Sequence, residues 1–226
     1  FRVMTTDDRI FPPNTLAYYS IESVDGYDPV YDKDWEIFAA SWMRGSFDIS
    51  PPYGFNRIIT PHAITPQFLV VSDVRYVLSL SDIERDDLRL VFREGETRVY
   101  EYVGNPGRAY FVDTVQSIGS DAELFSFLYR DDFNPRKTAL TQEKLMTGFS
   151  PMSINDSIEV SPIDQATVRI QTHADGERFL VVSTRFTPRL RATLDSGETL
   201  STIKVNGVYT GCVVPRGEQT ITLSYN

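Results

Sequence analysis

The sequence predicts an α+β protein: an N-terminal α/β subdomain followed by a C-terminal antiparallel β-sandwich of jelly-roll type. Three observations predict it. From Phe179 to Tyr225 the chain reads as one short strand after another, joined by tight turns, which is the pattern of a sandwich. Upstream, Trp35, Phe38, Ala39 and Trp42 recur at i, i+3, i+4 and i+7, the spacing of one helix face. Between the two patterns Asn105-Pro106-Gly107 breaks the chain. Residues 1–104 are therefore expected to form the first subdomain. Residues 105–226 form the second, with one helix near residues 120–130.

The elements follow in order. Phe1–Thr5 is a short strand, and Thr15–Ile21 is apolar and aromatic. Asp25-Gly26-Tyr27-Asp28-Pro29 is rich in turn formers. The Trp35–Trp42 helix has Asp32 and Asp34 at its start, where the helix dipole favours negative charge. Thr65-Pro66 offers a capping hydroxyl and a proline for the first turn of a helix through Phe68–Val71. Arg75–Leu80 reads as a strand, and Leu88–Phe92 with Thr97–Tyr102 as a hairpin around Gly95. In the second part Ala109–Val112 is a strand. Ser120-Asp121-Ala122-Glu123 is a capping box opening a helix with Ala122, Phe125 and Leu128 on one face. Asp131–Arg136 closes that helix, and Thr147–Ser153 is a loop. Asp156–Val160 and Ala166–Thr172 are strands, and Phe179–Val182 is apolar throughout, as a strand buried on both faces requires. Leu190, Ala192 and Leu194 alternate with polar residues, as do Ile221, Leu223 and Tyr225. Asn206-Gly207, between Leu200–Val205 and Val208–Val214, supplies the two positive φ angles of a type I′ hairpin turn. Pro215-Arg216-Gly217 makes a second turn.

The chain has 226 residues and a net charge of −9. A protein of this length buries about 70–75% of its unfolded surface and needs no covalent staple. The acidic balance argues against a nucleic-acid partner. The single cysteine, Cys212, lies in a strand pattern and reads as a buried, inert thiol. No run of apolar residues reaches the length of a membrane span. The chain opens on Phe1 rather than Met and reads as an excised piece.

The residues nominate no cofactor and no metal. His62 and His173 have no metal-ligand spacing around them, and no P-loop or nucleophile elbow is present. The acidic pairs Asp7-Asp8, Asp86-Asp87 and Asp131-Asp132 read as solvated loops rather than the carboxylate pair of a glycosidase. Asn155-Asp156-Ser157 is formally a glycosylation sequon. One group could carry binding: Tyr18, Tyr19, Tyr27, Tyr31, Trp35 and Trp42, beside the carboxylates of Asp25 and Asp28. Aromatic faces pack on the C–H faces of a sugar while carboxylates take its hydroxyls. Trp35 and Trp42 also fit the core stripe of their helix, whereas Tyr27 and Tyr31 sit by a turn. The candidate ligand-binding set is Asp25, Tyr27, Tyr31 and Trp35; no catalytic residue is nominated.

Several segments in order carry a family resemblance. They are Pro13-Asn14-Thr15-Leu16, Val24-Asp25-Gly26-Tyr27-Asp28-Pro29, Val74-Arg75-Tyr76-Val77-Leu78, Val99-Tyr100-Glu101, Asn105-Pro106, Arg108-Ala109 and Phe111-Val112. They continue with Ser183, Phe186, Pro188, Ala192, Asp195, Asn206-Gly207, Gly211 and Val214-Pro215-x-Gly217-Glu218. The ordered set resembles the C-terminal extracytoplasmic part of bacterial YfhO-type membrane proteins, which are multi-span and similar to GT-C glycosyltransferases. Where that family usually carries Trp after a proline, this chain has Arg189-Leu190 after Pro188. The resemblance implies a domain on the extracytoplasmic face of the bacterial membrane, joined to a membrane-embedded remainder of the same chain. It implies a parent that uses a polyprenyl-phosphate sugar donor, with catalytic residues outside this piece. A cell-envelope glycan or lipid-linked sugar is the implied ligand. A stand-alone carbohydrate-binding module is the alternative.

Overall fold

The computed structural model describes residues 1–27, 31–54, 57–144, 149–164 and 166–225. The fold is α+β with a β-sandwich, at 41% strand and 14% helix. The chain divides into two compact units, one of residues 1–107 and 125–131, the other of residues 108–124 and 132–226. Asp28, Pro29, Thr147 and Gly148, which belong to expected turns and loops, lie outside the described residues. No helix among the described residues is long and apolar enough to cross a membrane.

In the first unit the strands are β1 (Arg2–Thr5), β2 (Glu22–Ser23), β3 (Gly26–Tyr27), β4 (Ile58–Ile59), β5 (Val74–Ser79), β6 (Leu88–Glu94) and β7 (Thr97–Tyr102). The helices are α1 (Lys33–Arg44) and α2 (Pro66–Val71). Five strands form one sheet in the order β2-β1-β5-β7-β6. β1 runs parallel to both β2 and β5, and the β5-β7-β6 part is antiparallel. The chain leaves β1 for β2 on one side and later returns to β5 on the other. α1 forms where its sequence invites it: the Asp32 carboxylate accepts from the Trp35 amide at 2.9 Å, and Gly45 stops the helix at φ 61°. Phe38, Trp42 and Phe68 are fully buried, and Phe125 and Tyr129 pack on Phe38 and Phe68 to complete an aromatic core. α2 starts at Pro66, but the Thr65 hydroxyl makes no capping bond.

The second unit holds β8 (Ala109–Val112), β9 (Thr114–Ser117), β10 (Thr138–Thr141), β11 (Ser157–Pro162), β12 (Val168–Ala174) and β13 (Arg178–Arg185). β14 (Leu190–Leu194), β15 (Thr199–Leu200), β16 (Thr202–Val205), β17 (Tyr209–Val214) and β18 (Gly217–Tyr225) follow. One sheet has the order β11-β12-β18-β14-β15 and the other β16-β17-β13-β8. Their inner faces share one core containing Ile170, Leu180, Val182, Leu190, Ala192, Cys212, Ile221 and Leu223. Burial pushes the Cys212 thiol up to about 12, which keeps it protonated. Leu190, 1% exposed, is a core residue at the place where the resembling family carries Trp nearby. Gly211 is required by close approach: a Cβ there would lie 2.5 Å from the Phe179 ring.

Several local expectations change. Leu200–Val205 is not one strand; it splits between the two sheets as β15 and β16. β9 and β10, a parallel pair, carry no periodic signal and were not expected. Ala122 is exposed, and the buried face of α3 (Asp121–Leu128) is Leu124, Phe125 and Leu128. The capping box holds at Ser120, whose hydroxyl accepts from Glu123 N at 3.2 Å, but the Glu123 carboxylate reaches Gly119 N rather than Ser120 N. Tyr225 is 43% exposed despite its alternation with Ile221 and Leu223.

Asn206 and Gly207 do adopt positive φ, at 50° and 89°. The register, with Val205 opposite Tyr209, makes the connection three residues long rather than two. Asn206 is completely buried. Its Oδ1 accepts from Leu140 N at 2.9 Å and its own N donates to Leu140 O at 2.8 Å. The residue chosen for the turn thus also closes the outer edge of β10.

The sandwich is fastened by a buried ion pair. Arg178, the first residue of β13, donates from Nε to Asp156 Oδ2 at 2.8 Å, and each side chain is 1% exposed. Asp156 also accepts from Ser153 N at 2.8 Å and Asp175 N at 3.0 Å, and Arg178 Nη1 donates to Ser150 O at 2.9 Å. Burial alone would raise the Asp156 carboxyl; its hydrogen bonds from Arg178, Ser153 and Asp175 outweigh that and hold it below the usual range. Removing one partner strands a buried charge. Asp156→Ala should cost about 3–5 kcal/mol, read as a lower midpoint in urea unfolding followed by far-UV circular dichroism; a change within about 0.5 kcal/mol, the scale of an ordinary surface substitution, would show that the pair is not needed.

Candidate functional site

In open α/β sheets, ligand sites gather at the carboxyl ends of parallel strands where successive connections leave to opposite sides. In the first unit that point lies beside β1. Thr5 ends β1, Asp7 and Asp8 follow it, and Asp25 follows β2. Asp25 is half-buried. Its Oδ2 accepts from the Thr5 hydroxyl at 3.1 Å and lies 3.2 Å from the Ser23 hydroxyl. Its Oδ1 is fully buried with no hydrogen-bond partner among the described residues. Burial pushes the Asp25 carboxyl up to about 6; the Thr5 and Ser23 hydroxyls and the charge of His62 pull the other way and lose.

His62, reached from the segment before α2, completes this corner. Its Nδ1 lies 3.0 Å from Thr5 O and its Nε2 3.1 Å from Asp8 Oδ1. Thr5 therefore bridges the two: its hydroxyl holds Asp25 and its carbonyl meets His62. Asp7 belongs to its own turn, where hydrogen bonds from the Arg9 side chain and amide lower its carboxyl to about 2.

The candidate aromatic residues are placed as follows. Tyr27 is 46% exposed. Its main chain is clamped by Asn14, whose Nδ2 donates to Tyr27 O at 2.9 Å and whose Oδ1 accepts from Tyr27 N at 3.1 Å. Asn14, at φ 66°, also starts the 3-10 turn Thr15–Tyr19. Tyr18 and Tyr19 stand on that turn, 90% and 71% exposed. Tyr31 donates its hydroxyl to Arg57 O at 2.6 Å, next to Ile58, the β4 partner of Tyr27. Tyr27 and Tyr31 thus meet the same short segment. Trp35 stacks on Phe38 at 5.7 Å between centroids, against the aromatic core. Asp28 lies outside the described residues. His62, Asp8, Thr5 and Ser23 were not nominated by sequence, because their contacts to one another and to Asp25 mostly span long stretches of chain.

The second unit carries an open concavity of about 800 Å³ on the outer face of β11, β12 and β18. Cross-strand rows place Glu159 beside Gln171 and Thr220, and Ser157 beside His173 and Glu218. Asp195 lies at its rim, and among the described residues no Lys or Arg lines it. Carboxylates, amides and hydroxyls without a cation accept ligand hydroxyls and repel phosphate.

The Asp25 shift has a signed consequence. A carboxyl raised from 3.8 to about 6 favours folding while protonated, and that stabilisation is lost as pH rises through about 6. Asp25→Asn keeps the shape without the charge. It should match the parent near pH 4 and exceed it near pH 8 by on the order of 2 kcal/mol. Urea unfolding followed by the fluorescence of Trp35 and Trp42, the protein's two tryptophans and both in this unit, reads the difference; equal midpoints near pH 8 would remove Asp25 as a buried acid.

No family model and no curated protein matches the chain. Among solved structures, the chain is similar to part of a mutant arabinofuranosyltransferase AftD from mycobacteria, at 26% identity and a TM-score of 0.28. The similarity covers 30% of this chain and 6% of that one, so it concerns a small part of that protein's length.

Proposed function

We propose that the chain is an extracytoplasmic domain of a multi-span bacterial membrane protein of glycosyltransferase type, and that it holds a cell-envelope glycan for transfer. One observation carries the glycan contact: Asn14 clamps the Tyr27 main chain beside Asp25, at the start of the turn that exposes Tyr18 and Tyr19. Exposed tyrosine faces take the apolar side of a pyranose ring, and exposed polar groups beside them take its hydroxyls. The ordered motifs, which resemble those of YfhO-type proteins, support the membrane parent and its lipid-linked donor. In the parent, the membrane-embedded remainder supplies the reaction and this domain the acceptor contact.

Titration of the protein with cell-envelope oligosaccharides, followed by amide chemical shifts, tests the contact. Shifts should centre on residues 14–27, and Tyr27→Ala should weaken binding by about tenfold, the effect of losing one stacking ring. Unchanged affinity in Tyr27→Ala would end this assignment. Protease accessibility of the domain from the outer side of intact spheroplasts tests its placement.

The concavity in the second unit favours a second reading, a carbohydrate-binding module whose ligand lies across β11, β12 and β18. In that case Glu218→Gln or Gln171→Ala lowers glycan affinity while Tyr27→Ala does not, and the shifts centre on residues 157–173 and 218–220.

A further inference from the structure

The surroundings of His62 define a state of the ring. Both of its nitrogens face acceptors, the Thr5 carbonyl at 3.0 Å and the Asp8 carboxylate at 3.1 Å. Neither acceptor can donate a proton. A neutral imidazole has one N–H and one lone pair, so it satisfies only one of the two contacts and turns its lone pair on the other. Only the imidazolium, with a proton on each nitrogen, satisfies both.

We propose that Thr5, Asp8 and His62 form a proton-operated latch, which ties the loop after β1 to the segment before α2 when the imidazole is doubly protonated. On opening, the Nε2 proton passes to water. Nδ1–H keeps its bond to Thr5 O, and the bare Nε2 faces the Asp8 carboxylate. The ring is 36% and the Asp8 side chain 68% exposed, so water reaches the exchanging proton. The charged groups around the ring are few and named. Asp8 bonds it, Asp7 interacts with its charge but is engaged by Arg9, and Asp25 feels it across Thr5. The imidazolium charge favours the ionised form of Asp25. Loss of that charge therefore makes the buried Asp25 carboxylate more costly, and both groups loosen this corner as pH rises.

The latch stands on the geometry alone. Its meaning for ligand binding rests on the glycan contact proposed above, since the corner it closes adjoins Asp25 and Tyr27. The test therefore uses no ligand. Imidazole nitrogen NMR of the protein at about pH 5 should show both His62 nitrogens protonated. Hydrogen-exchange protection over residues 6–10 and 60–64 should fall about tenfold between about pH 5 and about pH 8, the effect of one charge-assisted hydrogen bond. In the Asp25→Asn background, which removes the second pH-dependent charge of this corner, adding His62→Gln, which offers a single donor group and no titration, or Asp8→Ala should abolish that pH dependence while α1 stays protected. A neutral His62 tautomer at pH 5, or a pH dependence that persists in both variants, overturns the latch. A latch that behaves as described in a protein that binds no glycan would leave the latch standing and remove the glycan contact.

Discussion

The Arg178–Asp156 pair is the constraint on which the second unit depends. Asp156 precedes β11 in one sheet, and Arg178 opens β13 in the other. The chain passes between the sheets at the β12–β13 turn, and Asp156 also holds Asp175 N within that turn. One carboxylate therefore fixes where the first sheet ends and the second begins. Two buried charges are tolerated because their oxygens and N–H groups are shared with the main chain at Ser150, Ser153 and Asp175. The apolar core between the sheets has no such direction of its own; hydrophobic burial selects faces, whereas the ion pair and its main-chain bonds are directional.

The first unit solves a different problem. Its sheet is short on the parallel side, and α1 contributes a helix buried on several sides rather than on a single stripe. Short polar loops finish the carboxyl ends of β1 and β2. Thr5, Asp8, Ser23, Asp25 and His62 meet there because the sheet topology ends there. The ordered segments that carry the family resemblance meet one another in the same way. Asn14 holds Tyr27, Arg75 bonds Glu101 on the neighbouring strand, and the amide of Ser183 donates to Arg108 O. Much of that motif set is therefore a network of contacts within each unit.

What could be read from sequence follows from the range of the forces involved. Periodic burial is local, so α1, β13, β14 and β18 were legible from residues two to four apart. The fold class follows from them. β9 and β10 were not legible, because four-residue strands in a parallel pair take their pattern from partners over twenty residues away. The split of residues 199–205 was hidden for a similar reason: a chain that changes sheets keeps its strand-like alternation. Asp25 could be singled out beside Tyr27, but its surroundings could not, since its hydrogen-bond donor Thr5 lies twenty residues earlier. His62 offered no spacing at all, because its partners lie more than fifty residues upstream. Asp156 looked like the middle of a sequon, and only the fold shows it to be the counter-ion of Arg178.

Hairpin tips are ordinarily where a chain accepts extra residues, because their backbone faces water. The tip at Asn206 is the opposite. Its amide, carbonyl-bearing side chain and two left-handed residues are all spent inside the protein, on Leu140 and on the bend itself. Lengthening this connection, as one would to graft a tag or an epitope, would unzip a distant strand rather than decorate the surface. The solvent-facing bends at Gly95 and Gly197 are places where such cargo fits.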